Sequence, residues 1–330
     1  SDDVELVALS NAPDSTLEEY DVKAVQRFQP MQVRKAIKNA DLLISGGGSL
    51  LQDRTSTRSL MYYLTVIRMA LHYQKPVMLY ANGIGPVSKS KNRRRVQAVV
   101  SKADCITLRD ADSLQELEQM GVGSDAMTVT ADPVFTLNGI APDAAREILT
   151  AAEIPTDRPI LAVSMRQSGK IAQAVPELAR FCDEAAKTHT VLFILMQTPA
   201  DSAVTEAIRS RMSAPSYVLE TPGKPETMMG VIGLCNLVFS MRLHTVIFAA
   251  KQRVPVMGLV YDPKVASYLD LLNMPAVGTP ETFRADDALR AFTDLAEHQT
   301  EYAARLDVIA RNLEQAAQEN DRQLAALLGL

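Results

Sequence analysis

The chain holds 330 residues, 47% of them apolar and 22% charged, and its 34 lysines and arginines against 39 acidic residues leave a net charge of -5. This balance excludes a general polyanion-binding surface, so nucleic acid is not expected as a partner and any anion must be held by a local basic cluster. The length suggests two domains at about 150 residues each, and no apolar run approaches the ~20 residues that cross a bilayer.

In chain order, apolar runs predict strands at 4–9, 42–44, 77–80, 105–108 and 127–129. Leu60, Tyr63, Leu64, Ile67 and Leu71 recur at helical spacing before Pro76, which gives a βαβ unit. Asp112 or Ser113 is placed to cap a helix over 110–121 that Gly121 ends. A proline-rich stretch puts the linker at 138–142. A second series of strands follows at 160–165, 191–196, 216–219, 234–239 and 256–260. Leu289, Phe292 and Leu295, then Leu306, Ile309 and Leu313, trace two amphipathic helices expected to return to the first domain. Alternating strands and helices predict an α/β fold with two parallel sheets and a cleft between domains. Cys105, Cys182 and Cys235 are odd in number and set in apolar surroundings, which suits reduced core thiols. With an N-terminus lacking signal-peptide character, they point to a cytoplasmic protein.

The most informative residues are Arg242, Leu243 and His244, between a strand-like and a helix-like run. There a guanidinium and an imidazole meet the outward N–H groups of a helix start, an arrangement suited to an anion. Arg166 follows the strand at 160–165 in the same way, so two guanidiniums at one sheet edge are placed to clamp a carboxylate and a phosphate. Tyr261-Asp262-Pro263-Lys264 follows the last strand, where Lys264 adds a positive charge and Asp262 either caps the next helix or orients a donor. His72, His189 and His298 read as surface or capping residues, which leaves His244 as the candidate acid or base. In the first domain, Ser45 to Asp53 reads as a Gly-rich strand-to-helix loop with N–H groups for an oxyanion or a sugar hydroxyl. Asn82-Gly83-Ile84-Gly85-Pro86 reads as a second loop of that kind. The basic run Lys89 to Arg95 reads as a solvated helix face or a contact for anionic head groups. No set of residues has metal-ligand spacing, so no metal is expected.

Taken in order, Gly46 to Asp53, Asn82 to Pro86, Arg109-Asp110, Ala131-Asp132-Pro133, Met241 to His244 and Tyr261 to Lys264 resemble the polysaccharide pyruvyl transferase family. Within it the chain looks most like the bacterial branch that pyruvylates N-acetylmannosamine in lipid-linked precursors of secondary cell wall polymers, which anchor S-layer proteins. The resemblance implies a GT-B-like fold of two Rossmann-type domains, at 1–140 and 141–305, with 306–330 returning to the first. It implies phosphoenolpyruvate as donor, no further cofactor, and a lipid-linked glycan acceptor reached by peripheral contact with the inner face of the membrane. Arg166, Arg242, Leu243, His244 and Lys264 then form the donor site, with Arg166, Arg242 and His244 catalytic. Gly47, Gly48, Ser49, Gln52, Asp53 and Asn82 face the acceptor. Family members begin with a strand and a Gly-rich loop, whereas this chain starts at what reads as the second strand, so part of the acceptor site is expected to be missing. The alternatives left open are a GT-B glycosyltransferase using a nucleotide sugar and a non-catalytic anion or glycan sensor.

Overall fold

The computed structural model describes residues 4–54, 56–220 and 223–330. The chain divides into two compact units, one formed by the described residues up to Pro133 together with Gln315–Leu330, the other by Val134–Glu314. The break thus precedes the expected linker, because Phe135 is fully buried and its carbonyl accepts from Lys251 Nζ (2.7 Å), which fastens this stretch to the second unit.

The first unit runs β1 (Val7–Ser10), α1 (Pro13–Tyr20), β2 (Lys23–Gln26), α2 (Pro30–Asn39), β3 (Leu43–Ser45), β4 (Gly48–Leu51), α3 (Thr57–His72), β5 (Val77–Ile84), α4 (Ser90–Val100), β6 (Cys105–Leu108), α5 (Ala111–Gln119) and β7 (Met127–Val129). β1 and β2 pair in parallel as a small sheet; β3, β5, β6 and β7 form a second in that order, with β4 also on β5. Two segments expected as loops are strand. Gly48 pairs with Asn82 and Leu51 with Ile84, so the Gly-rich turn shrinks to residues 46–47 and β5 extends to Ile84. The chain bends instead at Ala81, whose φ of 47° is left-handed and whose N–H donates to Thr107 Oγ1 (2.7 Å). A bent, register-shifted strand of this kind re-aims the residues after it. Side-chain caps start the helices beyond this edge: Ser56 Oγ accepts from the Arg58 and Ser59 amides, and Asp110 Oδ1 from Ser113 N.

The second unit continues with α6 (Pro142–Ala151), β8 (Ile160–Ser164), α7 (Ile171–Ala185), β9 (Thr190–Ile194), α8 (Ser202–Arg209), β10 (Tyr217–Leu219), α9 (Pro225–Gly233), β11 (Leu237–Ser240), α10 (Leu243–Lys251), β12 (Val256–Gly258), α11 (Pro263–Leu271), α12 (Ala285–Glu297) and α13 (Gln299–Leu328). Its sheet has the order β10-β9-β8-β11-β12, every pair parallel. β8, β9, β11 and β12 are buried at every position, which is why they read as unbroken apolar runs. The strand expected at 234–239 begins only at Leu237, since Leu234 and Cys235 still donate to Val231 and Ile232 carbonyls and close α9. His189, read as a surface residue, is buried at 8% exposure against the Phe292 ring (centroids 4.9 Å apart). Burial, then the charge of Arg158, lowers its pKa and favours the neutral ring.

The end of α13 belongs to the first unit, where Asn320 accepts from Thr130 Oγ1 (2.8 Å) and donates to Ala131 O (3.2 Å). Among the described residues no helix is long and apolar enough to cross a membrane.

Candidate functional site

In the second unit the register brings the expected donor residues to one edge. Ser164 faces Ser240 and Ser240 faces Gly258 in register, so Arg166, Arg242 and Tyr261 all follow neighbouring strands at their carboxyl ends. The two arginines reach in opposite directions. Arg166, after β8, donates from Nη1 to the Tyr261 hydroxyl beyond β12 (2.8 Å), with its guanidinium carbon 5.1 Å from the ring centroid. Arg242, after β11, donates from Nη2 to Asp201 Oδ1 beyond β9 and to Gln197 Oε1 (3.5 Å).

Local chemistry sets these positions. Ser240 Oγ accepts from the Arg242 amide (2.8 Å), fixing the turn from β11 into α10, of which Arg242 is the N-cap. Leu243 and His244 form the first turn of that helix, Leu243 half-buried and His244 exposed. Asp262 caps α11 by accepting from the Lys264 amide (3.0 Å), and Lys264 sits half-buried in that first turn. Asp201 was missed by sequence reasoning. It is fully buried, and its second oxygen accepts from the Gln197 amide (3.0 Å), so it holds Arg242 from a fixed base. Arg242 Nε is buried without a hydrogen-bond partner, and Arg166 pairs with no carboxylate among the described residues. This edge therefore has guanidinium donors left over for an anion.

The expected acceptor residues behave differently. Asn82 is fully buried and its Nδ2 donates to the carbonyls of Ser45 (2.7 Å), Gly46 (2.9 Å) and Tyr80 (3.1 Å), tying the 46–47 turn to β5. Its Oδ1 has no partner. Asp53 accepts from the Ser88 and Lys89 amides and from Asn92 Nδ2, latching the loop before α4. Burial raises the Asp53 pKa, but these three hydrogen bonds outweigh it and the net shift is downward. Gly48, with φ of 89°, opens β4 in a conformation that suits glycine, Gly47 lies near the Ala81 carbonyl, and Gln52 is half-buried beyond β4.

A second missed cluster centres on Arg109, at the end of β6. Its Nε, Nη1 and Nη2 donate to Asp110 (3.4 Å), Asp132 (3.2 Å) and Ser49 Oγ (3.1 Å), and the side chain is nearly inaccessible. A Cβ on Gly83 would lie 2.7 Å from Arg109 Nε, so only glycine lets the guanidinium lie there. The Arg109-Asp110 and Ala131-Asp132-Pro133 motifs held the signal for this cluster, but neither motif names the other's partner. The basic run on α4 is not a uniformly solvated face: Arg93 pairs with Glu116 (2.8 Å) and Arg95 with Asn92 (3.1 Å), both half-buried.

Two α/β units with parallel sheets make a GT-B-type fold. Solved structures of similar fold include UDP-GlcNAc 2-epimerase from Neisseria meningitidis bound to UDP-GlcNAc, with TM-score 0.64, 15% identity, and coverage of 98% of this chain and 91% of that one. S. aureus MnaA with UDP matches at TM-score 0.68, 14% identity, and 98% and 89% coverage. Anabaena Alr3699/HepE with UDP-glucose matches at TM-score 0.63, 12% identity, and 95% and 88% coverage. Residues 1–263 match the polysaccharide pyruvyl transferase model, and the chain belongs to that family. The amylovoran biosynthesis protein AmsJ of Erwinia amylovora is 21% identical over an alignment of 275 residues that covers 75% of this chain and 63% of that protein. The chain thus spans less than two thirds of this curated relative's length.

Proposed function

We propose that the chain moves the pyruvyl group of phosphoenolpyruvate onto a sugar and releases phosphate. The observation that carries this reading is the pair Arg166 and Arg242 at one sheet edge, with unused guanidinium donors and with His244 in the next helical turn. Two planar donor forks suit a small ligand bearing a carboxylate and a phosphate. Lys264 adds a further positive charge in the α11 turn, and the Leu243 amide, at the start of α10, favours an anion.

On this reading an acid protonates the methylene carbon of the enol phosphate, leaving an oxocarbenium-like C2. One sugar hydroxyl adds to C2 and gives up its proton. The C2–O bond to phosphate then breaks with the electron pair going to phosphate, and a second hydroxyl attacks the oxocarbenium C2 so formed and gives its proton to the phosphate, closing the ketal. His244 serves as the acid for the methylene or for the departing phosphate, and its exposure gives it access to either. The arginines align the donor and hold its charge. Acceptor recognition rests on the Gly47, Gly48 and Ser49 backbone and Gln52, while the buried Asn82 and Asp53 shape the loops behind them. The acceptor we favour is a β-N-acetylmannosaminyl unit on a lipid-linked secondary cell wall polymer precursor, ketalised at O4 and O6.

The test is phosphate release from phosphoenolpyruvate with a synthetic β-N-acetylmannosaminyl lipid, comparing the chain with its His244→Ala variant. Release that needs the acceptor and is lost in the variant is expected. Binding of a UDP-sugar without any phosphate release would replace this reading with a nucleotide-sugar glycosyltransferase.

A further inference from the structure

Met31 is 86% exposed, the highest value among the large apolar residues described, and Phe28 stands at 67%. Both belong to a stretch of unusual charge. Residues 23–40 carry Lys23, Arg27, Arg34, Lys35 and Lys38 and no acidic residue, in a chain whose net charge is -5. The preceding residues 4–21 carry Glu5, Asp14, Glu18, Glu19 and Asp21 and no basic residue, so the charge changes sign between α1 and β2. Lys23 is drawn back across that boundary by its pairing with Glu5 (2.5 Å).

The exposed side chains are held by structure beneath them. Val33 and Ile37 anchor α2 in the core, which leaves Met31, Arg34, Lys35 and Lys38 on its exposed side. Phe28 packs against Tyr62 (centroids 5.7 Å apart), and the Arg27 guanidinium lies 4.5 Å from the Tyr62 centroid and 5.1 Å from that of Phe28. Tyr62 also donates its hydroxyl to Arg27 O (3.2 Å). An apolar tip on an ordered base, ringed by Lys35, Lys38 and an Arg34 that keeps its charge while donating to the Tyr73 hydroxyl, matches an anionic bilayer surface: apolar side chains enter the acyl boundary and cations meet the head groups.

We propose that the β2–α2 turn and the outer side of α2 dock on an anionic lipid bilayer, with Phe28 and Met31 inserting and Arg34, Lys35 and Lys38 facing the head groups. This goes beyond the pyruvyl-transfer reading and is independent of it, since neither donor nor acceptor enters the argument. It also moves membrane contact away from α4, where the Arg93 charge is already met by the Glu116 carboxylate.

The experiment is co-sedimentation of the 330-residue chain with vesicles of mixed phosphatidylglycerol and phosphatidylcholine and with vesicles of phosphatidylcholine alone. Binding to the anionic vesicles alone is expected, weakening as salt rises. Phe28→Ser with Met31→Ser should weaken it about tenfold or more, and Lys35→Glu with Lys38→Glu at least as much. Lys91→Glu with Arg94→Glu, two exposed residues on α4, should leave it unchanged. All the substituted side chains are exposed, and unchanged circular-dichroism melts would confirm folding. Failure of the chain to bind anionic vesicles, or variants that bind as the parent does, would overturn the proposal. So would concentration-dependent self-association abolished by Met31→Ser, which would assign the patch to a second copy. Vesicle binding and phosphate release are separate readouts, so either reading can fail alone.

Discussion

The two units build the same kind of edge and use their arginines in opposite ways. In the first, Arg109 has each of its three nitrogens on an acceptor, two of them carboxylates, and is shut away from solvent. In the second, Arg166 leans on a phenol and Arg242 on one carboxylate and an amide, with Nε unpartnered. The difference teaches that an arginine after a parallel strand is not by itself a ligand site. What matters is how many of its donors the protein already uses, because a saturated guanidinium fastens loops whereas an unsaturated one can still bind.

The sharpest way to break this comparison is to delete one arginine from each edge. Arg109→Ala leaves Asp132 buried without its cation, and removing one partner of a buried pair costs about 3–5 kcal/mol. A large fall in the denaturation midpoint is therefore expected. Arg166→Ala should change that midpoint little, since no buried carboxylate loses its partner, yet lower kcat/KM for phosphoenolpyruvate by about 10²–10³-fold, the worth of a charge-assisted pair. If Arg109→Ala melts normally and only loses transfer, the contrast fails.

Arg242 stands between these cases, because its partner Asp201 is fully buried. Arg242→Ala should therefore impair both donor use and stability, with about 3 kcal/mol or more of the latter traceable to the stranded carboxylate. Adding Asp201→Ala to that variant should recover most of the stability and none of the transfer, measured by urea titration beside the phosphate assay. Recovery of both would make Arg242 a structural residue.

A smaller effect comes from Gly83→Ala, which drives a methyl against the Arg109 guanidinium. Overpacking of this kind costs about 1–3 kcal/mol, read as a lower melting temperature. The smallest is a pH effect away from both edges. Burial and then the Arg158 charge hold the His189 pKa below the ordinary 6.5 in the fold, whereas the unfolded chain takes up a proton as pH falls through that value. The unfolded state then binds more protons, so stability falls as pH drops below about 6.5, by at most about 1.4 kcal/mol per pH unit. His189→Phe should shrink the difference between urea midpoints at about pH 5 and pH 7.5 by that contribution.

Much of the second unit was legible because burial on both sheet faces writes itself as apolar runs, and an arginine directly after such a run stands out. Asp201 was not legible, since it meets Arg242 across 41 residues of sequence and looks like any other residue opening a helix. The first unit was harder. β2 and α2 are short, and α2 carries only two buried residues, Val33 and Ile37, so neither stands out as an apolar run. β4 and the end of β5 contain Gly48, Asn82 and Gly83, residue types that read as loop, and the bend at Ala81 that makes room for them has no local signature. Asn82 and Asp53 were singled out as acceptor residues, and their hydrogen bonds go largely to the protein's own backbone.

The uniform direction of the strands in the second unit also makes it a polarised object for handling. Asp157 and Lys187 each lie three residues before a strand, exposed at the amino ends of β8 and β9, while Arg166, Arg242, His244 and Lys264 all follow the carboxyl ends. A fluorophore, a biotin or a surface tether attached at either position would sit at the end of the strands opposite the proposed donor residues. Immobilised that way, the chain could be titrated with small anions on a sensor surface without modifying any of those residues.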